Sequence, residues 1–294
     1  MTFLTSRITS HRLAQAALLV LSTQLPLAVH AHMTWILPNQ TQLSGKEPVV
    51  SVDAAVSEDL FSFERGLKLD AVVITGPDGA AVAAENRSSA RHRDSFDVKL
   101  VKDGTYRISN VSQSLMASYK QGSETKRFRG TVEAFAKEVP ADAEVLSASI
   151  THSRQQTFVS KEDPGTPAFA PEGRGLELLP LGVATDLSDG DNTRFRLLLD
   201  GKPLPDATVK LLRDGNRYRY KLGELTLKTD AKGEFSVQWS EPGRYWLGAS
   251  YPARAAAPAV VTVPSAVPPA GSGGTRDKPL QRASLSATFE VLPK

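Results

Sequence analysis

The dipeptide Asp-Gly recurs at 78, 103, 189, 200 and 214, in each case between short runs rich in β-formers. Aspartate tolerates the positive φ of a tight reversal and glycine favours it, so each pair marks a turn with a mechanism. Turns this regular, between period-two runs, point to sandwiches of short strands and not to helices. No amphipathic pattern of three helical turns occurs; Ala141–Ser149 is the nearest and is ambiguous.

The strand pattern follows from the alternation. Pro48–Val52 and Leu67–Ile74 read as strands, the latter ending in the turn Thr75-Gly76-Pro77-Asp78-Gly79. Phe96, Val98 and Leu100, then Tyr106 and Ile108, alternate with polar residues around Asp103-Gly104 and predict a hairpin. Lys126–Phe135 and Ser147–Val159 are further strands. The stretch from Glu162 to Gly173 carries three prolines and two glycines, which places a domain boundary there. Beyond it, Leu176–Pro180, Thr193–Leu199, Ala207–Leu212 and Pro242–Leu247 are strands, and Leu225–Val237 predicts a second hairpin. Residues 252–281, rich in Pro, Ala, Gly and Ser, read as a flexible loop before a last strand over Ala283–Leu292. The expected fold class is all-β: two β-sandwich domains, 32–168 and 169–294, behind a leader.

That leader is residues 1–31. Arg7 and Arg12 give a positive start, Leu13–Leu27 is a short apolar run, and Val29-His30-Ala31 fits the small-x-small rule for cleavage. The run is too short to span a bilayer. Export to the periplasm as a soluble protein, with no membrane insertion of the mature chain, is the expectation. Removing 31 of the 294 residues leaves 263, enough for one large or two ordinary domains. Lys and Arg number 35 against 32 acidic residues; without Arg7 and Arg12 the balance is 33 against 32. No field of the strength needed for nucleic-acid binding is expected. The chain has no cysteine, which excludes disulfides, thiolate metal sites and thiol nucleophiles.

Cleavage after Ala31 makes His32 the first residue, with consequences for chemistry. A terminal histidine offers its α-amine and a ring nitrogen, close enough to chelate one metal ion. The α-amine has a pKa of about 7.7–8.0, so freeing its lone pair at neutral pH costs roughly 1 kcal/mol. Imidazole suits copper, nickel, zinc and iron. The alternative is that His32 is a frayed end without a role. Only His92 and His152 accompany it in the mature chain, about 60 residues apart, so any shared site must be assembled by the fold. His152 lies on an expected strand with polar neighbours and is the better third donor; His92 lies in a basic loop, where an exposed, idle histidine is the plainer reading. Met33 offers a thioether beside Trp35. Hydrolase signatures are missing: no Gly-x-Ser-x-Gly in a strand-turn-helix setting, no His-Glu-x-x-His, no phosphate loop and no paired carboxylates. A non-catalytic protein is expected. Arg213–Tyr220 mixes arginines and tyrosines and reads either as a polyanion- or sugar-binding stretch or as a solvated hairpin.

The chain resembles the exported bacterial family known as domain of unknown function 4198. The residues that carry the resemblance are His32-x-x-Trp35-x-x-Pro38, Phe128-Arg129-Gly130, Gly175–Pro180, Leu199–Leu204 with Ala207 and Val209, Thr229–Phe235, and Pro242–Trp246. The last three alone are shared with transthyretin-like and other immunoglobulin-like modules. The resemblance implies a periplasmic protein linked to transition-metal uptake, with nickel or cobalt as the ion. It also implies a partner in a TonB-dependent receptor or an inner-membrane metal transporter. Of the site residues only His32 is carried by the family's motif; His92 and His152 come from chemistry. The competing expectation is an interaction module whose second sandwich docks on an outer-membrane receptor or envelope glycan.

Overall fold

Two strands of unusual length, Gly104–Gln121 and Glu144–Lys161, run antiparallel through most of their span and form the middle of the molecule. They appear in a computed structural model that describes residues 32–69, 71–252 and 273–294. The leader expected over 1–31 lies outside the described residues, and so does most of the loop expected over 252–281. Among the described residues the architecture is all-β, as the turn spacing demands, with one short α-helix and a 3-10 turn at Asn216–Tyr218; no described helix is long and apolar enough to cross a membrane.

Both long strands belong to an 11-stranded sheet. On one side they lead to Val72–Thr75 and Ala81–Val82. On the other, Glu144–Lys161 pairs in parallel with the C-terminal strand Leu280–Leu292 along Ser149–Thr157. Gly243–Tyr251, Thr208–Arg213 and Leu225–Lys228 then follow in order. The sheet therefore runs straight across the boundary expected at 168/169, and the described residues form one compact unit.

Two smaller sheets cover this large one and complete two sandwiches. An N-terminal sheet contains Met33–Pro38, Val49–Ser57, Asp94–Lys99 and Glu85–Ser89. It contributes Ile36, Val50, Val52, Phe96 and Val98 to a core closed from the large sheet by Ile74, Tyr106, Ile108 and Val159. A C-terminal sheet of Leu176–Pro180, Asn192–Leu199, Lys202–Pro203 and Glu234–Gln238 packs Leu178, Phe195, Leu197 and Phe235 on Leu211, Leu247, Leu285 and Phe289. Each such buried side chain stabilises by roughly 1.5–3 kcal/mol.

Several expectations are corrected by the pairing. The two predicted hairpins are crossovers between sheets. Asp94–Lys99 pairs with Val49–Ser57 in the N-terminal sheet, while Gly104–Gln121, across the Asp103-Gly104 turn, belongs to the large sheet. Likewise Leu225–Lys228 pairs with Thr208–Arg213, and Glu234–Gln238 pairs with Asn192–Leu199. In both places each strand sends its apolar side to the same core from opposite walls, which a hairpin within one sheet cannot do. Asp200-Gly201 does make a hairpin: φ values of 50° and 75° form a type I′ turn that sets Leu199 opposite Lys202. The strand expected over Leu67–Ile74 is confined to Val72–Thr75. Lys126–Phe135 breaks at Gly130, where Thr131 caps the helix Val132–Glu138 by accepting from the Ala134 amide at 3.1 Å. Ala141–Ser149 is a turn leading into a strand, because Ala148 is claimed by the core beside that helix.

The expected domain boundary is strapped down by charge. Arg107 and Arg154, on the two long strands and only 4% and 3% exposed, both grip Glu172, at 3.0 and 2.9 Å. Arg154 also donates to the carbonyls of Leu176 and Arg174. Buried Glu177 accepts the amides of Glu172 and Gly173. Glu172 itself lies at the surface, so the loss on removing Arg154 is set by the three hydrogen bonds its buried guanidinium makes, about 1 kcal/mol each. Arg154→Met is therefore expected to lower unfolding free energy by about 3 kcal/mol in urea titration, Glu172 retaining Arg107. Lys120→Ala, which removes the exposed ion pair with Glu144, is expected to change it by less than ~0.5 kcal/mol.

Candidate functional site

The motif His32-x-x-Trp35-x-x-Pro38 is a strand with both faces buried. Ile36 points into the N-terminal sandwich core, while Trp35 and Leu37 point the other way, into a cluster with Ala55, Leu60 and Leu212. A strand so enclosed reads as a continuous apolar run, which Met-Thr-Trp-Ile-Leu-Pro nearly is. Its polar groups are satisfied from both sides. The Trp35 indole donates to Ser57 Oγ at 3.0 Å, Trp246 Nε1 to the Thr34 carbonyl at 3.1 Å, and Thr288 Oγ1 to the Ile36 carbonyl at 2.7 Å. His32 is the residue just before this anchored strand. Its side chain is exposed, yet its backbone leaves a rigid support.

The loop Glu58–Glu64 lies beside it. His32 Nε2 is 3.5 Å from Glu58 Oε1. The loop is shaped by Glu64, whose carboxylate accepts the amides of Glu58 and Asp59 at 3.0 and 3.2 Å. It is pinned from beneath by Phe61 and Phe63, both edge-on to Trp35 at 5.4 and 5.5 Å between centroids. His92 reaches the same loop: its Nδ1 is 2.9 Å from the Glu64 carbonyl. A carbonyl can only accept, so Nδ1 is the donor here, and in the neutral ring Nε2 then holds the lone pair. Next to it, Arg93 covers the Phe63 ring at 5.3 Å and lies 3.6 Å from Asp53. Burial pushes the Asp53 carboxyl up, and Arg93 draws it part of the way back. From the other half of the chain, Asn216 Oδ1 accepts the Leu60 amide at 3.1 Å and Arg217 faces Asp59 at 3.7 Å. That contact brings in an adjoining turn on which Tyr218 and Tyr220 are 86% and 110% exposed.

Two of the three candidate histidines thus converge on one loop, and the third does not. His152 sits on Glu144–Lys161, opposite Gln113 and Ala283. Side chains alternate along a strand. Arg154 and Gln156 on one face reach the carbonyls of Leu176 and Leu178, while Gln155 on the other reaches Thr34 Oγ1. His152 shares the face of Arg154. Gly175 packs against it so closely that a Cβ there would fall 2.9 Å from His152 Cβ, and His152 Nδ1 is buried without a partner. Among the described residues no three of His, Asp and Glu stand close enough to hold an ion by side chains alone. Glu58 and Glu64 are loop carboxylates that nothing in the sequence pairs with a histidine, and only the fold sets them beside His32 and His92.

The family model described as "Domain of unknown function (DUF4198)" matches residues 29–253. No curated protein matches the chain. Among solved structures, trypsin-activated alpha-2-macroglobulin from Escherichia coli is similar at 15% identity and a TM-score of 0.22, over 88% of this chain and 16% of that one. Salmonella alpha-2-macroglobulin reacted with methylamine is similar at 14% identity and a TM-score of 0.22, over 88% of this chain and 15% of that one. The D0-D1 domain of Intimin is similar at 12% identity and a TM-score of 0.19, over 88% of this chain and all of that one. The chain spans less than a fifth of the macroglobulins it matches.

Loss of the Glu64 carboxylate removes the acceptor of two loop amides. A net hydrogen bond is worth about 1 kcal/mol, so Glu64→Ala is expected to speed hydrogen exchange at the Glu58 and Asp59 amides by roughly fivefold. Exchange within Val49–Ser57 should be unchanged.

Proposed function

The chain belongs to the family described as domain of unknown function (DUF4198), and we propose that this member is an exported, non-catalytic protein that binds a transition-metal ion at His32 and hands it on. The observation that carries the reading is the carboxylate of Glu58 at His32 Nε2. A carboxylate there favours the proton on Nε2 and leaves the Nδ1 lone pair for a metal. Nδ1 and the α-amine of a chain cut after Ala31 close a six-membered chelate ring around one ion. Glu58 is then the orienting partner of the ligand, held in turn by Glu64. His92, its Nε2 lone pair free and its ring on the same loop, is the next nitrogen available. His152, on the face turned toward Leu176, takes no part.

Nitrogen donors of this kind fit nickel(II), cobalt(II) and copper(II) better than magnesium or calcium; the family resemblance favours nickel or cobalt. An exposed, two-nitrogen site exchanges its ion readily, which suits delivery rather than storage. Delivery requires a partner, in the periplasm a TonB-dependent receptor or an inner-membrane metal transporter. Tyr218 and Tyr220, exposed on a turn tied to the His32 loop through Asn216, are anchors of the type that interfaces use. The same tyrosines support the second reading, an interaction module that docks on a receptor or envelope glycan and needs no metal.

Calorimetric titration of nickel(II) and copper(II) into protein beginning at His32 decides between them. A single added alanine before His32, which turns the amine into an amide, should weaken binding at least tenfold, as should His32→Ala. His92→Ala should weaken it less, and His152→Ala not at all. Because the ion displaces an amine proton, affinity should rise about tenfold per unit between pH 6 and 7.5 and level off above about 8. Equal affinity with and without the added alanine refutes the chelate.

A further inference from the structure

The large sheet has a face that the hydrophobic clusters of the described residues do not cover; its serine rows are half-buried, with Ser118 fully so. Ser112, Ser114, Met116 and Ser118 alternate with Leu115 and Ala117, which belong to the core beside the helix Val132–Glu138, so the first set points away from it. Register extends that face sideways. Ser112, Ser153, Ser284 and Ser250 stand in one row across four adjacent strands. The next row sets Ser114 and Thr151 beside Arg282, and the one after it sets Ser149 and Met116 beside Arg129. Hydroxyls do meet across it: Ser284 donates to Ser153 at 3.1 Å, and Ser118 and Ser147 are 2.7 Å apart.

A row of serines on an open sheet is ordinarily just solvated surface. The charges set this one apart. Arg127 and Arg129 on one margin and Arg282 on the other are exposed, and none has an ion pair or hydrogen bond among the described residues. The carboxylate at the edge of the patch, Glu144, is already matched by Lys120 at 3.0 Å. At the covered end of the same face, Asn110 Oδ1 and Ser286 Oγ are 1% and 3% exposed residues' atoms without a partner. Arg129 and Arg282 are three strand spacings apart, about 14–15 Å.

We infer that this face binds an anionic polysaccharide, its acidic groups on Arg127, Arg129 and Arg282 and its hydroxyls on the serine and threonine rows between them. A single small anion cannot reach both margins. A protein partner or a lipid surface would need apolar anchors, and Met116 is the one large apolar side chain exposed on these rows. The inference is independent of the metal reading: no residue is shared between the two sites.

The test uses the full mature chain and a fluorescent heparin-derived octasaccharide as probe, with neutral dextran of similar length and phosphatidylglycerol vesicles beside it. Arg127→Glu/Arg129→Glu/Arg282→Glu should weaken octasaccharide binding at least tenfold, while Arg217→Glu/Lys221→Glu on the tyrosine turn should leave it within twofold. Thr151→Val, which removes a hydroxyl without changing charge, should weaken it about twofold and leave thermal unfolding unshifted. Dextran should not bind. Octasaccharide binding unaffected by the triple reversal overturns the proposal, as does equal loss in the tyrosine-turn variant. Vesicle binding that exceeds octasaccharide binding and disappears in the triple variant overturns it in favour of a lipid surface.

Discussion

Parallel pairing between Glu144–Lys161 and Leu280–Leu292 holds the molecule together. These segments start more than a hundred residues apart, and closing so long a loop carries an entropic penalty before any contact repays it. Once made, the pairing fuses two half-sheets into one of 11 strands. Both sandwiches then share a wall. The cores built on Ile108 and on Phe289 stand on the same sheet and cannot be separated by cutting the extended connection at 162–173. The arginine strap onto Glu172 adds a second reason, since that connection is clamped to the two long strands.

The shared wall also explains the position of His32. A strand buried on both faces needs something on each side of it, and the N-terminal strand finds the N-terminal core on one side and Leu212 and Trp246 on the other. Its anchoring bonds come from Ser57, Trp246 and Thr288, residues supplied by widely separated parts of the chain. The strand immediately after His32 is fixed, so the histidine is exposed without being adrift.

Some of this was legible from residues alone. β-rich runs between turn residues located Leu176–Pro180, Thr193–Leu199 and the last strand within a few residues, because strand propensity and turn chemistry are local properties. The turns were legible too: all five Asp-Gly glycines have positive φ. Partnership across those turns was not. A turn fixes a reversal of direction, but whether the next strand stays in the sheet or crosses to the opposing one depends on which wall the core requires. Asp103-Gly104 and the turn at Asp230–Gly233 cross; Asp200-Gly201 does not. The two-turn helix was missed since Val132–Glu138 is too short to show a helical period.

For the candidate site the division is similar. The motif around Trp35 and the scarcity of histidine singled out His32 from sequence, and composition removed thiolate chemistry outright. Sequence separation could say nothing about which other histidine joins it. Strand parity turns His152 to the far face, while a loop carbonyl fixes His92 on the loop that Glu64 shapes. Residue type and spacing determined the strands, the turns and the available donors, for these are set by neighbours in the chain. The sheet shared by both halves, the crossovers and the company His32 keeps were decided only by tertiary structure, because each depends on which distant apolar surface a segment must cover.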